Sequence, residues 1–384
     1  KRYHLANFFR QEDFLSNILF QYHSLKESLY YSFILKDYSY KKSYQDLKKP
    51  LSNNFTNNET EHILFTHHLY PEIVLINKNN KLIHRWFIDL NELFPNQSFK
   101  QELNIKYVDL QPDGSIYCIY EGFRHTPYGL ALLHIDKDSN LLWRSNINAH
   151  HSALIKNGEV FSLYHDLNQK KHQYILDDGI AHFDQQGKLK NKYTFYQMFS
   201  KTDFINFLPK QRFDSIHANS ISEIKVPIDL GSTQLLAGDF LVSLRNINVI
   251  AVIDSKTMKI KRAVQNITKM QHSAYQLENG NFIIYDNWAN IKQLNKHPSL
   301  SQIVEIDPRS LKKVWHFAGN QNIIMNTPFS SNVFPVDQDR FLVCLHRIGI
   351  FEINRDKNIS WTFNFPVNFA RPYLISQLKF LDQL

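Results

Sequence analysis

The sequence predicts an all-β fold, a six-bladed β-propeller with a short helical N-terminal segment. Three observations carry this: a unit that recurs six times, tight-turn dipeptides inside the units, and a change of hydrophobic period near residue 61. Residues 1–60 form the helical segment and its linker in this reading, and residues 61–384 the propeller.

From Leu5 to Leu35 apolar residues recur at three- and four-residue spacings (Phe8, Phe14, Ile18, Tyr22, Leu25, Leu29, Phe33) between charged ones, the period of an amphipathic helix or helical hairpin. Its apolar face can dock on its own domain, pair with a second chain in a homo-oligomer, or meet a membrane surface. Leu51 to Glu61, rich in Asn, Thr and Ser, reads as the linker.

Beyond Glu61 the runs become short and β-rich. The second half of each unit reads apolar, Asp or Asn, a short polar turn, then usually an aromatic. The copies are Leu75-Ile76-Asn77 to Trp86, His134-Ile135-Asp136 to Trp143, His182-Phe183-Asp184 to Tyr193, Glu305-Ile306-Asp307 to Trp315 and Glu352-Ile353-Asn354 to Trp361. A further copy, Val252-Ile253-Asp254, runs on to Lys261 without an aromatic. The first half is a turn and an apolar strand: Asp113-Gly114, Asn157-Gly158, Gly238-Asp239, Asn279-Gly280 and Asp339-Arg340 open it. Asn-Gly and Asp-Gly supply the positive φ of tight hairpins and so join consecutive strands antiparallel. A repeat of about 55 residues is too long for a solenoid rung, and no Cys-Trp-Cys pattern supports immunoglobulin sandwiches.

Composition narrows the partners. The formal charge of +8 comes from 44 Lys and Arg spread along the chain without a dense basic block, which favours small anionic ligands and argues against nucleic acid. Both cysteines, Cys118 and Cys344, lie in apolar strand-like runs and read as buried thiols without metal-ligand spacing. There is no apolar run of about 18 residues to span a bilayer. The chain begins at Lys1, so a signal peptide or anchor is expected upstream.

Propellers converge the starts of their innermost strands on a central channel. Polar residues recurring there meet despite distant numbers, and here they are histidines. His150 and His151 precede Ser152-Ala153 and the Asn157-Gly158 turn; His272 precedes Ser273-Ala274 and the Asn279-Gly280 turn; His217 opens the strand between them. The shared His-Ser-Ala favours His151 over His150 as the match to His272. His67, His68, His165 and His297 are read as surface or core residues.

At this point the sequence resembles the PAPS-independent arylsulfotransferase family. The resemblance is carried by Asp214-Ser-Ile-His217-Ala-Asn219-Ser220, Asp239 to Arg245, Ile253-Asp254, Gln271-His272-Ser-Ala and Gly280 to Asn287, and more weakly by the stretch from Phe65 to Trp86. It covers roughly Ile63 to Phe363. The family's N-terminal β-sandwich-like domain and close-spaced cysteine pair have no counterpart here.

The resemblance implies transfer of a sulfuryl group from a small-molecule aryl sulfate donor to a phenolic acceptor, with neither cofactor nor metal, through a sulfohistidine. His272 would be the nucleophile, His217 and His151 its catalytic neighbours, Arg245 the sulfate clamp, and Asn219 and His150 substrate ligands. It also implies a periplasmic or otherwise exported protein. An imidazole suits the task, since it is nucleophilic when neutral and leaves readily once sulfated. A planar guanidinium suits the sulfuryl oxygens, and a second imidazole can give the leaving phenolate a proton. Two other readings stay open: a non-catalytic propeller that keeps an anion pocket as a binding or assembly module, and a hydrolase with zinc on the three histidines. Arg245 beside them weighs against a cation.

Overall fold

The computed structural model describes residues 61–67, 72–89, 93, 103–122, 127–170, 173–208, 213–292 and 299–383. The expected helix from Leu5 to Leu35, most of the linker, His68 and His297 lie outside them. The chain forms a six-bladed β-propeller, six antiparallel sheets of four strands each. The innermost strands, in ring order, are Leu103–Leu110, Ala149–Lys156, Ala218–Glu223, His272–Gln276, Asn332–Pro335 and Val367–Leu374, each touching the next. A small two-stranded ribbon, Ile228–Asp229 with Gln234–Leu235, hangs on the fourth blade.

The repeat has a physical content at both of its ends. Its acid closes the hairpin between the third and fourth strands: Asn77 Oδ1 accepts the Asn79 and Lys81 N–H at 3.0 and 2.9 Å, and Asp136 and Asp184 do the same for their own turns. Its aromatic crosses to the next blade. The indoles of Trp86, Trp315 and Trp361 donate to the carbonyls of Gly114, Arg355 and Lys78 at 3.1, 2.7 and 2.9 Å, so a large apolar ring is buried, fully for Trp86 and Trp361 and partly for Trp315, with its one polar atom satisfied. In the copy without an aromatic, Lys261 instead pairs with Asp239 at 2.8 Å.

Ring closure is not written in the repeat. Val367–Leu374, the last long strand, pairs antiparallel with Glu61–His67, placing Ile63 opposite Pro372 and Phe65 opposite Ala370, so both ends of the described chain build one blade. That pairing removes the open edge a linear array would leave. Apolar residues of facing sheets fill the space between blades, and both Cys118 and Cys344 are free and buried there, where burial pushes their thiols up. No described helix is long and apolar enough to cross a membrane.

Candidate active site

The inner strands of four consecutive blades share one irregularity near the same end. Their register slips between Ile105 and Tyr107, Ala149 and Ala153, Ala218 and Ser220, and His272 and Ala274. An inserted residue breaks the alternation of a strand and re-aims the side chains beside it. Here the inserted residues are Lys106, the run from His150 to Ser152, Asn219 and Ser273. His151, His217 and Ser273 hold left-handed φ of 55°, 53° and 50°. That conformation costs an L-residue energy and is found where the surrounding structure enforces it.

The consequence is a cluster of imidazoles. The ring of His151 lies 4.8 Å from that of His217 and 6.3 Å from that of His272, centre to centre. His150 is 5.2 Å from His151 and 4.5 Å from His165. Tyr128 packs edge-on to His165 at 4.3 Å and lies 5.5 Å from His217. A cavity of about 50 Å³ is lined by His151, Asn219 and His272 together with Lys106, Ser273 and Asn332 among others. The blades can approach this closely because residue 129 is glycine: a Cβ there would overlap the carbonyl of Asn148, just before the neighbouring inner strand.

Hydrogen bonds fix the proton on His272, His217 and His165. Asn287 donates its amide to the carbonyls of Thr327 and Ser330 at 2.7 and 2.9 Å, so its oxygen faces His272 Nδ1 at 2.7 Å. Nδ1 therefore carries the hydrogen and Nε2 the lone pair. Arg245 can only donate, and its Nη1 meets His217 Nε2 at 3.0 Å; His217 must then carry its hydrogen on Nδ1, 2.5 Å from Asp214 Oδ2. Both His217 nitrogens are thus engaged, in a chain from Asp214 through the ring to Arg245. The guanidinium also stacks over Phe329 at 5.4 Å.

A second chain runs through the third blade. Asp178 Oδ1 faces His150 Nε2 at 3.3 Å and His165 Nδ1 at 3.6 Å, and Oδ2 accepts the Ala218 N–H at 3.0 Å. His165 Nε2 accepts the Gly129 N–H at 3.1 Å, which leaves the His165 hydrogen on Nδ1, toward the carboxylate. His150 Nδ1 meets His151 Nδ1 at 3.1 Å, and that atom lies 2.9 Å from Glu121 Oε1. Glu121 Oε1 also takes the His151 backbone N–H at 2.7 Å.

These partners divide the titrations. Burial and then Arg245 hold His272 and His217 well below the usual imidazole value. His151 is also lowered, by burial against the opposing pull of Glu121. Burial alone would depress His150 too, but the Asp178 carboxylate outweighs it and raises the ring. Asp178 and Glu121 are held far below the carboxylate range despite burial, by His150 and His165 for the first and by His151 for the second.

His150, Asp178 and His165, or His150, His151 and Glu121, group enough donors to suggest a cation site. The donor chemistry does not fit one at His165: a ligating nitrogen needs its lone pair, and the Gly129 contact has already assigned a hydrogen to Nδ1. His272, His151 and Asn219 line the cavity; His217 and Arg245 stand beside it, bonded to each other; His150 is fully buried behind His151. Sequence reasoning did not assign roles to Lys106, Glu121, Tyr128, Asp178 or Asn287, and it read His165 as outside the site. Only Asn287 had a signal, its place in the Gly280 to Asn287 stretch. The others belong to second strands, extended hairpins or bulges that the repeat does not mark.

No family model matches the sequence, and no curated protein does. Among solved structures, the chain is similar to a protein of unknown function from Bacteroides caccae, with a TM-score of 0.53 and 14% identity over 82% of this chain and 99% of that one. It is also similar to virginiamycin B lyase from Staphylococcus aureus, with a TM-score of 0.43 and 11% identity over 85% of this chain and 87% of that one. The first of these likenesses, at 14% identity, speaks for a shared fold alone and leaves the chemistry to the site itself.

Proposed function

We propose that the protein transfers a sulfuryl group from an aryl sulfate to a phenol, without PAPS, through a sulfated His272. The observation that carries this reading is the state of His272: its Nδ1–H is committed to Asn287, and its Nε2 lone pair is left unprotonated by burial and Arg245 beside a cavity. That is what a histidine nucleophile needs at neutral pH.

In this mechanism the Nε2 lone pair attacks sulfur as the bond from sulfur to the aryl oxygen breaks, and the aryl oxygen leaves with the bonding pair. Arg245 faces the charge on the non-bridging oxygens, and Asp214 through His217 keeps the guanidinium in place. His151 supplies the proton to the departing oxygen from Nε2. An extra proton on the His150–His151 pair ends at that atom whichever ring carries the charge. If His150 donates through Nδ1 to His151 Nδ1, then the His151 hydrogen sits on Nε2; if His151 is doubly protonated, Nε2 has one as well. The second half reverses these steps: an acceptor phenol returns its proton to His151, its oxygen attacks sulfur, and the bond from sulfur to Nε2 breaks.

Mixing with 4-nitrophenyl sulfate in the absence of acceptor should add roughly 80 Da, one SO₃, to the intact protein and to the peptide containing His272. His272→Asn should give no adduct and no transfer while melting as the wild type does. An unmodified wild type that also releases no nitrophenolate with several phenols would overturn the proposal in favour of a binding module.

A further inference from the structure

Lys106 is the inserted residue of the bulge in Leu103–Leu110, the same device that turns Asn219 and Ser273 toward the channel, and it lines the same cavity as His151 and His272. Its ammonium makes no hydrogen bond and no ion pair with any described residue. The carboxylate nearest in effect, Glu121, is occupied by the His151 backbone and ring. Burial, and after it a second cation, Arg347, hold the Lys106 amine below its usual value against the pull of Glu121. A half-buried cation beside a like charge is costly in the empty protein, and an apolar side chain at this position would line the cavity without that cost. The charge becomes favourable when an anion enters. In the same cavity wall the buried Asn219 keeps Oδ1 without a hydrogen-bond partner while its amide donates to the Gln271 carbonyl at 2.8 Å.

We infer that Lys106 forms a second anion subsite, so that the molecule bound here carries two acidic groups: a sulfate toward His272 and Arg245, and a carboxylate or second sulfate toward Lys106. This rests on the sulfuryl-transfer reading of the cavity and names its substrate class, an aryl sulfate with a second anionic substituent on the ring.

The test is binding rather than turnover. Benzenesulfonate and its 2-, 3- and 4-carboxy derivatives have sulfur bonded to carbon and cannot be transferred, so calorimetry at constant ionic strength reads recognition alone. Wild type should bind at least one carboxybenzenesulfonate about tenfold more tightly than benzenesulfonate. Lys106→Met should lose that preference, binding benzenesulfonate and its carboxy derivatives with equal affinity, and Lys106→Arg should restore it. Equal affinity of wild type for all four probes, or a preference that survives Lys106→Met, overturns the subsite. A preference that follows Lys106 in a protein that never forms the His272 adduct keeps the subsite and overturns the transfer chemistry instead.

Discussion

Asp178 and Arg245 flank one row of buried imidazoles and drive them in opposite directions. His150, His217 and His272 are 0%, 8% and 5% exposed, so desolvation penalises the imidazolium in all three. Yet His150, 3.3 Å from Asp178, is raised, while His217 and His272, with Arg245 beside them, fall well below the ordinary value. Burial is common to both halves and so cannot be what separates them. What separates them is the charge that prevails: Asp178 at His150, and Arg245 at His272 and, despite Asp214 at 2.5 Å, at His217. One half of the site thus favours a proton on its ring and the other a free lone pair.

The largest effect is expected from the cationic half. Arg245→Lys keeps the charge and loses the planar fork, so sulfuryl transfer should slow by about 10²-fold or more, measured as nitrophenolate release under saturating acceptor. Arg245→Met removes the charge as well, and the ring protons of His217 and His272 should then titrate closer to the ordinary 6.5 in NMR spectra. If both rings stay as low without Arg245, burial alone sets them and the contrast between the halves is broken.

A change in the anionic half comes next. Asp178→Asn should bring the His150 titration down and destabilise the fold by about 1–3 kcal/mol, because two buried rings lose a charged acceptor. The pH dependence has a defined sign. A folded-state value raised above 6.5 makes the stabilisation from His150 fully present below the unfolded value and lost as pH rises through the folded one. His217 and His272 run the other way: their neutral forms are favoured on folding, so stability falls as pH drops below about 6.5 toward their depressed values. Denaturant titrations of wild type and Asp178→Asn across this range should differ most on the acid side.

The smallest effect sharpens the role of His151. Glu121→Gln weakens the partner of His151 Nδ1, and the loss should depend on the leaving group: about tenfold for a donor whose phenol is weakly acidic, and little for 4-nitrophenyl sulfate, whose phenolate leaves unaided. An equal loss with both donors would mean that Glu121 serves the shape of the bulge rather than proton transfer.

The six-bladed fold was legible because each repeat carries a turn acid and usually a terminal aromatic, and both act locally or on the adjacent blade: Asp136 closes its own hairpin, and Trp361 reaches the next one. The candidate site was legible where a residue sits at a repeating position, as His151, His217 and His272 do at the starts of their strands. It was not legible where a partner arrives from a strand that the repeat leaves unmarked. Asp178 lies opposite His165 in the long hairpin of the third blade, and nothing in their sequence spacing relates either to His150. Lys106 is an ordinary lysine in an alternating strand until a one-residue slip in register turns it inward.

The sequence by itself determined the blades, through hairpin chemistry and hydrophobic alternation, and it determined which histidines share a position, because a repeat assigns equivalent residues to equivalent places. Tertiary structure alone decided that the last strand closes the first blade, since pairing between Val367–Leu374 and Glu61–His67 is a contact across nearly the whole propeller. It also decided which imidazole holds a proton. Protonation depends on charges a few ångströms away, and in a closed ring those charges come from other blades: Glu121 beside His151, and Arg245 in its effect on His272.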